Sequence, residues 1–379
     1  MAPGAWRRYR APMAKGRNYG LLVAGGGLAG SLAALAMARL RPEVPLLLIA
    51  EGVRLGGSGT LFVLEEALGE AERNFLLPLA SGSWDGCYAL LPGRPRKLKL
   101  TCHAIAASAI DEAVRAALRP EQLRLDARLV AVRDDSLLLH GGESVAGIGV
   151  LDARGWVHET TLELGWRHGV SRTVRLPSAH RLDLPIAADT TLAAAKSCAL
   201  FTVIPLDEER LVVEHVRYAR GPEAELDEGR TAIDAWLQAR GWSGAQTEGE
   251  EAFSSAVPLG GDFAGYWRIG GARVAKLGTR GGFFGMGVGP SLADAAAAAL
   301  ALTGERDFSG AALHDAVEEA ATQLWRRREF HRAFARRLVE GSSCAAIEAL
   351  WGSDAATIAR FFADRLGLLD RRRLLAAAG

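Results

Sequence analysis

The chain is poor in cysteine, and its four cysteines are scattered. Cys87, Cys102, Cys198 and Cys344 form no CxxC pair, so neither a zinc site nor a disulfide framework is indicated, and a reducing cytoplasm is the simplest setting. Charge imbalance is also lacking: 45 Lys and Arg stand against 44 Asp and Glu, too even a balance for a protein that tracks a nucleic-acid backbone. No unbroken apolar run reaches the roughly 18 to 20 residues that span a bilayer. The nearest, Leu21–Ala38 and Ala295–Leu302, are interrupted by glycine or too short. Internal repeats and low-complexity linkers are missing as well, which points to interleaved units rather than domains on tethers. What remains is 379 residues, 49% of them hydrophobic, enough to bury a substantial core in two or three units and to hold a small-molecule site.

Residues 1–17 are basic, with Arg7, Arg8, Arg10, Lys15 and Arg17, yet no signal-peptide core and cleavage site follow. They read as a disordered basic extension, with Met13 as an alternative start. The fold begins with the apolar run Leu21-Leu22-Val23-Ala24, which meets Gly25-Gly26-Gly27-Leu28-Ala29-Gly30 and passes into the Ala/Leu-rich stretch 31–40. That order reads as strand, tight turn and helix. Residues 45–51 then read as a second buried strand ending in Glu51, completing a βαβ unit.

The glycines at 25, 27 and 30 meet three needs: a tight turn, close approach of the backbone to a pyrophosphate, and close packing of helix on strand. Leu28 and Ala29 open the helix, whose free N–H groups and dipole stabilise phosphate. Glu51 is placed to accept hydrogen bonds from ribose hydroxyls, although taken alone it also reads as a solvated strand end. A second glycine-rich strand-to-helix junction runs from Lys276 through Gly278, Arg280, Gly282 and Gly289 to Asp294. Flavoproteins of the two-dinucleotide type bring such a late junction back to the flavin, which favours FAD over NAD; a plain loop and helix cap is the alternative.

The expected organisation is α/β: a Rossmann-type FAD-binding domain over 18–156 and 265–305, with 58–100 contributing to the substrate site, a β-sheet substrate domain over 157–264, and a helical carboxyl-terminal unit over 306–379. Helices are expected at Ala107–Leu118 and Glu225–Arg240. Strands are expected at Leu123–Val132, Ser136–His140, Val145–Asp152, Ala199–Val203 and Arg210–Val216, and a helix break near Gly352-Ser353.

From about residue 20 to the carboxyl end the chain resembles the bacterial lycopene β-cyclases. The matching text includes AGGGLAGSLAAL (24–35), Trp84 with Gly86 and Pro92, Asp152-Ala153-Arg154-Gly155, Leu164-Gly165-Trp166, and Pro185-Ile186 with Asp189. It continues through Arg210-Leu211-Val212-Val213-Glu214, Gly278 with Arg280, Gly289 with Ser291-Leu292 and Asp294, and Ile358-Ala359-Arg360-Phe361-Phe362. The resemblance implies a non-redox closure of β-rings on the ends of lycopene, with FAD working in its reduced form on electrons from NAD(P)H. It also implies Glu214 as the catalytic acid, since a strand-end glutamate is essential in the family. A carboxyl that protonates an alkene must be neutral, and burial in an apolar tunnel moves it in that direction. Without the resemblance Glu214 reads as a solvent-facing strand residue.

Asp189 matches a family aspartate and is expected to orient Glu214 or share its proton, or else to cap a turn. Trp84 and Trp166 are expected either to line a carotenoid tunnel or to fill the core.

The chain also departs from the family pattern. Where the family carries a His-Thr-Trp-Ser-Phe segment after the second strand, this chain reads Gly57-Ser58-Gly59-Thr60-Leu61-Phe62, and the late Phe-His-Pro-Thr-Thr-Gly-Tyr-Ser becomes Phe284 through Ser291 without the histidine or tyrosine. His215 and Val216 replace the polar pair after the glutamate. His215 faces away from Glu214 or serves as a relay in place of the lost histidines. Three functions therefore stay open: a lycopene cyclase, a flavin-dependent oxidoreductase or monooxygenase on a hydrophobic substrate, and a divergent binder without turnover. A carotenoid substrate draws the protein to the inner face of the cytoplasmic membrane. Arg326, Arg327, Arg328, Arg332, Arg336 and Arg337, interleaved with Phe330, Phe334 and Leu338, read either as a lipid-docking helix or as an ordinary helix with a core-facing stripe.

Overall fold

The computed structural model describes residues 19–156, 160–192, 198–270, 273–286, 292–341 and 344–377. The readings for residues 1–17 and for Gly289 fall outside the described residues.

Tyr19–Ala24 is a central strand, buried almost throughout, as apolar residues on both faces of a parallel strand require. It pairs in parallel with Leu46–Ile49 on one side and with Ser144–Asp152 on the other. Leu123–Arg124 extends the parallel array past Leu46–Ile49, and Ala275–Lys276 joins the far end of Ser144–Asp152. The near end of that long strand pairs instead with Ser136–Leu139, which pairs with Leu129–Val132. The expected single strand 123–132 is thus two short ones, because Asp126 takes a left-handed φ of 54° and turns the chain. Helix Leu28–Leu40 lies between helices Ala107–Ala117 and Leu292–Thr303. Its Ala33, Ala34 and Ala36 are fully buried, and their small side chains let the backbones approach.

The second sheet has seven strands in the order 246–261, 162–175, 210–219, 199–205, 186–189, 87–91 and 94–98. Helix Leu226–Ala239 seals one face, setting Ile233, Trp236 and Leu237 against Val170, Phe201, Val203 and Val213. A three-stranded sheet of 60–64, 102–106 and 82–84 stands beside it. Residues 58–100 therefore supply strands to both of the smaller sheet and the seven-stranded one.

The carboxyl-terminal third is helical. Gly310–Arg327 packs on the parallel sheet, whereas Glu329–Glu340 packs on strands 246–261 and 210–219. The helix break falls at Gly352–Asp354, where Asp354 caps Ala355–Phe362 by accepting from the Thr357 amide. The basic segment 326–338 is not one helix: Arg328 ends one and caps the next. Phe330, Phe334 and Leu338 are buried in a core shared with the strands, so its aromatic stripe is committed to the interior. Among the described residues no helix is long and apolar enough to cross a membrane.

Candidate functional site

One cavity of about 850 Å³ runs from the glycine-rich turn to the seven-stranded sheet. At its first end Gly25 takes φ +112°, and a Cβ there would lie 2.5 Å from the Ala153 carbonyl oxygen, so only glycine makes this turn. A Cβ on Gly30 would come within 2.0 Å of the Gly25 oxygen, which fixes Gly30 as a packing residue behind the cavity wall. Gly27 caps helix Leu28–Leu40 without any side-chain bond, and a Cβ there would meet nothing within 4 Å. The free amide end formed with Leu28 and Ala29 therefore opens into the cavity. Ser31, which sequence reasoning passed over, donates to the Gly26 carbonyl and accepts from the Gly56 amide, both at 2.8 Å. It ties the 56–59 loop to the turn.

Glu51 lines the same end, its Oε1 accepting from the Leu129 amide at 3.3 Å. Across from it, Arg154 grips Asp152 through two bonds of 2.9 Å. Arg280 approaches Asp152 at 3.4 Å, and its buried Nε has no hydrogen-bond partner. Gly278 lines the cavity with φ +61°, its Cβ position 3.0 Å from Ala29. Gly282 does not line it; at φ +85° it lies under the Phe263 ring, which a Cβ would strike at 2.5 Å. An uncapped helix terminus and an acid at a strand end, with the Arg280 guanidinium lining the same end, together fit a dinucleotide. Among the described residues no cluster has the ligands for a metal ion.

Past the 56–59 loop the cavity becomes an apolar chamber, walled by Phe62, Leu200, Ile204, Val212, Phe253 and Phe362. Glu214 stands in this wall. Its Oε1 accepts from Arg167 Nη2 at 2.7 Å, and Arg167 lies over the Phe253 ring at 4.7 Å with its buried Nε unpartnered. Burial pushes the Glu214 carboxyl above the usual range, and the Arg167 charge and hydrogen bond oppose that shift without cancelling it. The residual 20% exposure of the Glu214 side chain is toward the cavity it lines.

Asp189, Trp84, Trp166 and His215, all singled out in the sequence, lie elsewhere. The extra residue between Ile186 and Asp189 makes a bulge that sets Asp189 opposite Phe201, and Phe201 opposite His215. That row faces helix Leu226–Ala239, whereas Glu214, opposite Thr202, faces the cavity. Asp189 accordingly neither orients Glu214 nor shares its proton. Its carboxylate is fully engaged by Trp236 Nε1 at 2.8 Å, Arg240 at 2.7 Å, and the Thr191 amide and hydroxyl. Trp84 packs one layer outside the chamber, in a small cluster with Ala104, Ile204 and Val212. Trp166 stacks on His168 at 6.3 Å and meets Trp156 edge-on at 6.1 Å, on the opposite face of its strand from Arg167. Neither tryptophan lines the cavity. His215 packs 4.9 Å from Phe201, and burial together with the Arg217 charge depresses it to about 4, so it is a neutral core residue and no relay.

The family model described as lycopene cyclase protein matches residues 20–377. A lycopene beta-cyclase of Pseudescherichia vulneris is 30% identical over 94% of this chain and 92% of its own length. One of Pantoea ananas is 27% identical over 94% of both. Among solved structures, a geranylgeranyl bacteriochlorophyll reductase-like protein of Thermoplasma acidophilum superimposes with a TM-score of 0.64 at 12% identity, covering 94% of this chain and 96% of that one. A flavin-dependent brominase does so at 0.55 and 13%, covering 91% and 93%. These structures share the α/β fold, with its parallel nucleotide-type sheet, second sheet and helical carboxyl-terminal region. On the family match over nearly its whole length, the chain belongs to the lycopene cyclase family.

Proposed function

We propose that this protein closes β-rings on the ends of lycopene, using FAD in its reduced form on electrons from NAD(P)H, with Glu214 as the acid. The observation that carries the reading is the Glu214 carboxyl, set in the apolar chamber wall with its acidity weakened by burial. Gly25, Gly27, Leu28, Ala29, Glu51 and Gly278 would hold the dinucleotide, and Arg280 would give it a charged N–H. The reduced flavin, when bound, supplies negative charge beside the chamber and so favours cationic chemistry there. The chain supplies the rest. The neutral Glu214 carboxyl delivers a proton to the terminal alkene, and the chain closes by forming one C–C bond. Phe253 and Phe62 offer aromatic faces to the resulting cation, and the apolar wall excludes water that would quench it. Loss of a ring proton restores the alkene, leaving mass and oxidation state unchanged. We further propose that the protein meets its substrate at the inner face of the cytoplasmic membrane without spanning it.

The Arg167 ion pair favours a second reading, a carotenoid or flavin binder without turnover, because its charge and hydrogen bond stabilise the ionised carboxylate and so oppose proton delivery. Carotenoid chromatography with mass detection in a lycopene-accumulating bacterial host separates the two. Cyclic product of unchanged mass, lost in Glu214→Gln, supports the cyclase. Unaltered lycopene beside soluble, flavin-loaded protein supports the binder, and a product of altered mass supports an oxidoreductase.

A further inference from the structure

We infer that Glu251 is a second catalytic carboxylate of the chamber: the base that takes the ring proton and passes it back to Glu214 across Ser171. This rests on the cyclase reading above and deepens it, since a reaction that starts by giving up a proton and ends by losing one needs an acceptor and a way to reset the donor.

Three observations carry it. First, the cross-strand register aligns Glu251 with Ser171 and Ser171 with Glu214. Residues directly opposite one another share a face, so carboxyl, hydroxyl and carboxyl form one row across three strands, and all three line the cavity. With neighbouring strands about 4.8 Å apart, the two glutamates stand roughly 10 Å apart at the backbone, room for a six-membered ring between them. Second, Glu251 Oε2 is buried without a hydrogen-bond partner, an unusual state for a carboxylate oxygen and one suited to a waiting acceptor. Its other oxygen lies 3.8 Å from Arg54, and that arginine is 84% exposed, so the pair is weak. Third, the Oε2 atom lies against Gly59, 3.5 Å from where a Cβ would be, in the loop that divides the dinucleotide end from the apolar chamber.

The other carboxylates lining the cavity are committed. Asp294 forms a buried two-bond pair with Arg328, and Glu51 sits at the far, dinucleotide end. Protons and electrons balance: Glu214 gives its proton to the alkene, the new C–C bond leaves a tertiary cation, and Glu251 removes a proton from a carbon beside it. The electrons of that C–H bond become the ring alkene. The Ser171 hydroxyl then accepts from Glu251 as it donates to Glu214, restoring the start.

The test uses the flavin-loaded full chain with lycopene in liposomes under reducing conditions, comparing wild type with Glu251→Gln, Glu251→Asp and Ser171→Ala. A cation deprotonated by a fixed base gives one ring isomer, and without that base any neighbouring carbon can lose the proton. Glu251→Gln is therefore expected to slow cyclisation by about 100-fold and to yield a mixture of ring double-bond isomers. Glu251→Asp is expected to restore the wild-type isomer, and Ser171→Ala to slow turnover while keeping it. A Glu251→Gln protein that makes the wild-type isomer within threefold of the wild-type rate overturns the inference and leaves the cyclase reading intact. A Ser171→Ala protein at wild-type rate overturns the return path. Lycopene left unchanged by the wild type brings down the cyclase reading, and this inference with it.

Discussion

Glu214 is pulled in two directions, and the balance has a measurable sign. Burial raises its pKa and Arg167 lowers it, so an acid that must be neutral loses activity as pH rises through the raised value. Arg167→Gln removes the lowering influence, and the alkaline limb of the rate profile should move up. A limb that stays put or moves down would mean that Glu214 is not the group being titrated. His215 works with opposite sense on stability. Its folded pKa near 4 lies below the ordinary value of 6.5, so between those two pH values the unfolded chain binds more protons and stability is lost as pH falls. The loss approaches ~3 kcal/mol by pH 4. Thermal melts at pH 7 and pH 5 should show a smaller difference in His215→Phe than in the wild type, with cyclisation at neutral pH little changed.

At the level of elements, the parts legible in the sequence are those whose constraint is local. Gly25, Gly27 and Gly30 declare a strand, turn and helix because Gly30 meets its clash five residues back, Gly25 meets its clash against the neighbouring strand's end at Ala153, and Gly27 leaves the helix terminus open. Gly30→Ala drives a Cβ into the Gly25 carbonyl, so the purified protein should lose its flavin absorbance and at least ~1–3 kcal/mol of stability. The chamber was less legible, for a physical reason. Arg167 and Trp166 are adjacent, and a two-residue period assigns them to opposite faces without saying which face is the cavity. Arg167, Phe253 and Glu251 are brought to the same chamber wall as Glu214 only through the antiparallel register of strands 162–175, 210–219 and 246–261, which no local pattern records. Glu214 itself was singled out through the family resemblance. Asp189 was misplaced because a single bulge reverses the parity of its strand. Its true partners make a sharp prediction: Asp189→Ala leaves the buried Trp236 N–H without an acceptor and removes the carboxylate from the half-buried Arg240, which should cost about 1–3 kcal/mol, lowering Tm while leaving the ring isomer and the pH profile of the folded fraction as in the wild type.

Across the whole molecule, the chamber is a joint product of units that the chain visits several times. The seven-stranded sheet gives the carboxyl wall, the 56–59 loop gives the neck, and the carboxyl-terminal helices close the end with Trp351 and Phe362. The two rings lie 5.8 Å apart, yet they answer to different demands. Trp351 is buried at 5% exposure within the core of the helices and sheet, so Trp351→Ala should cost about 3–5 kcal/mol of stability and threaten folding itself. Phe362 is only half-buried and rests on Phe361 at 5.2 Å, leaving part of its ring to the cavity. A phenyl ring that gains its burial from substrate contributes on the order of 1.5 kcal/mol or more, so Phe362→Ala should raise KM about tenfold with Tm moved by no more than a few degrees. Because Phe362 stands apart from the Glu251–Ser171–Glu214 row, the ring isomer should not change. A variant with unaltered KM would mean that the substrate never reaches the helical end, and that the ring closes nearer the 56–59 neck.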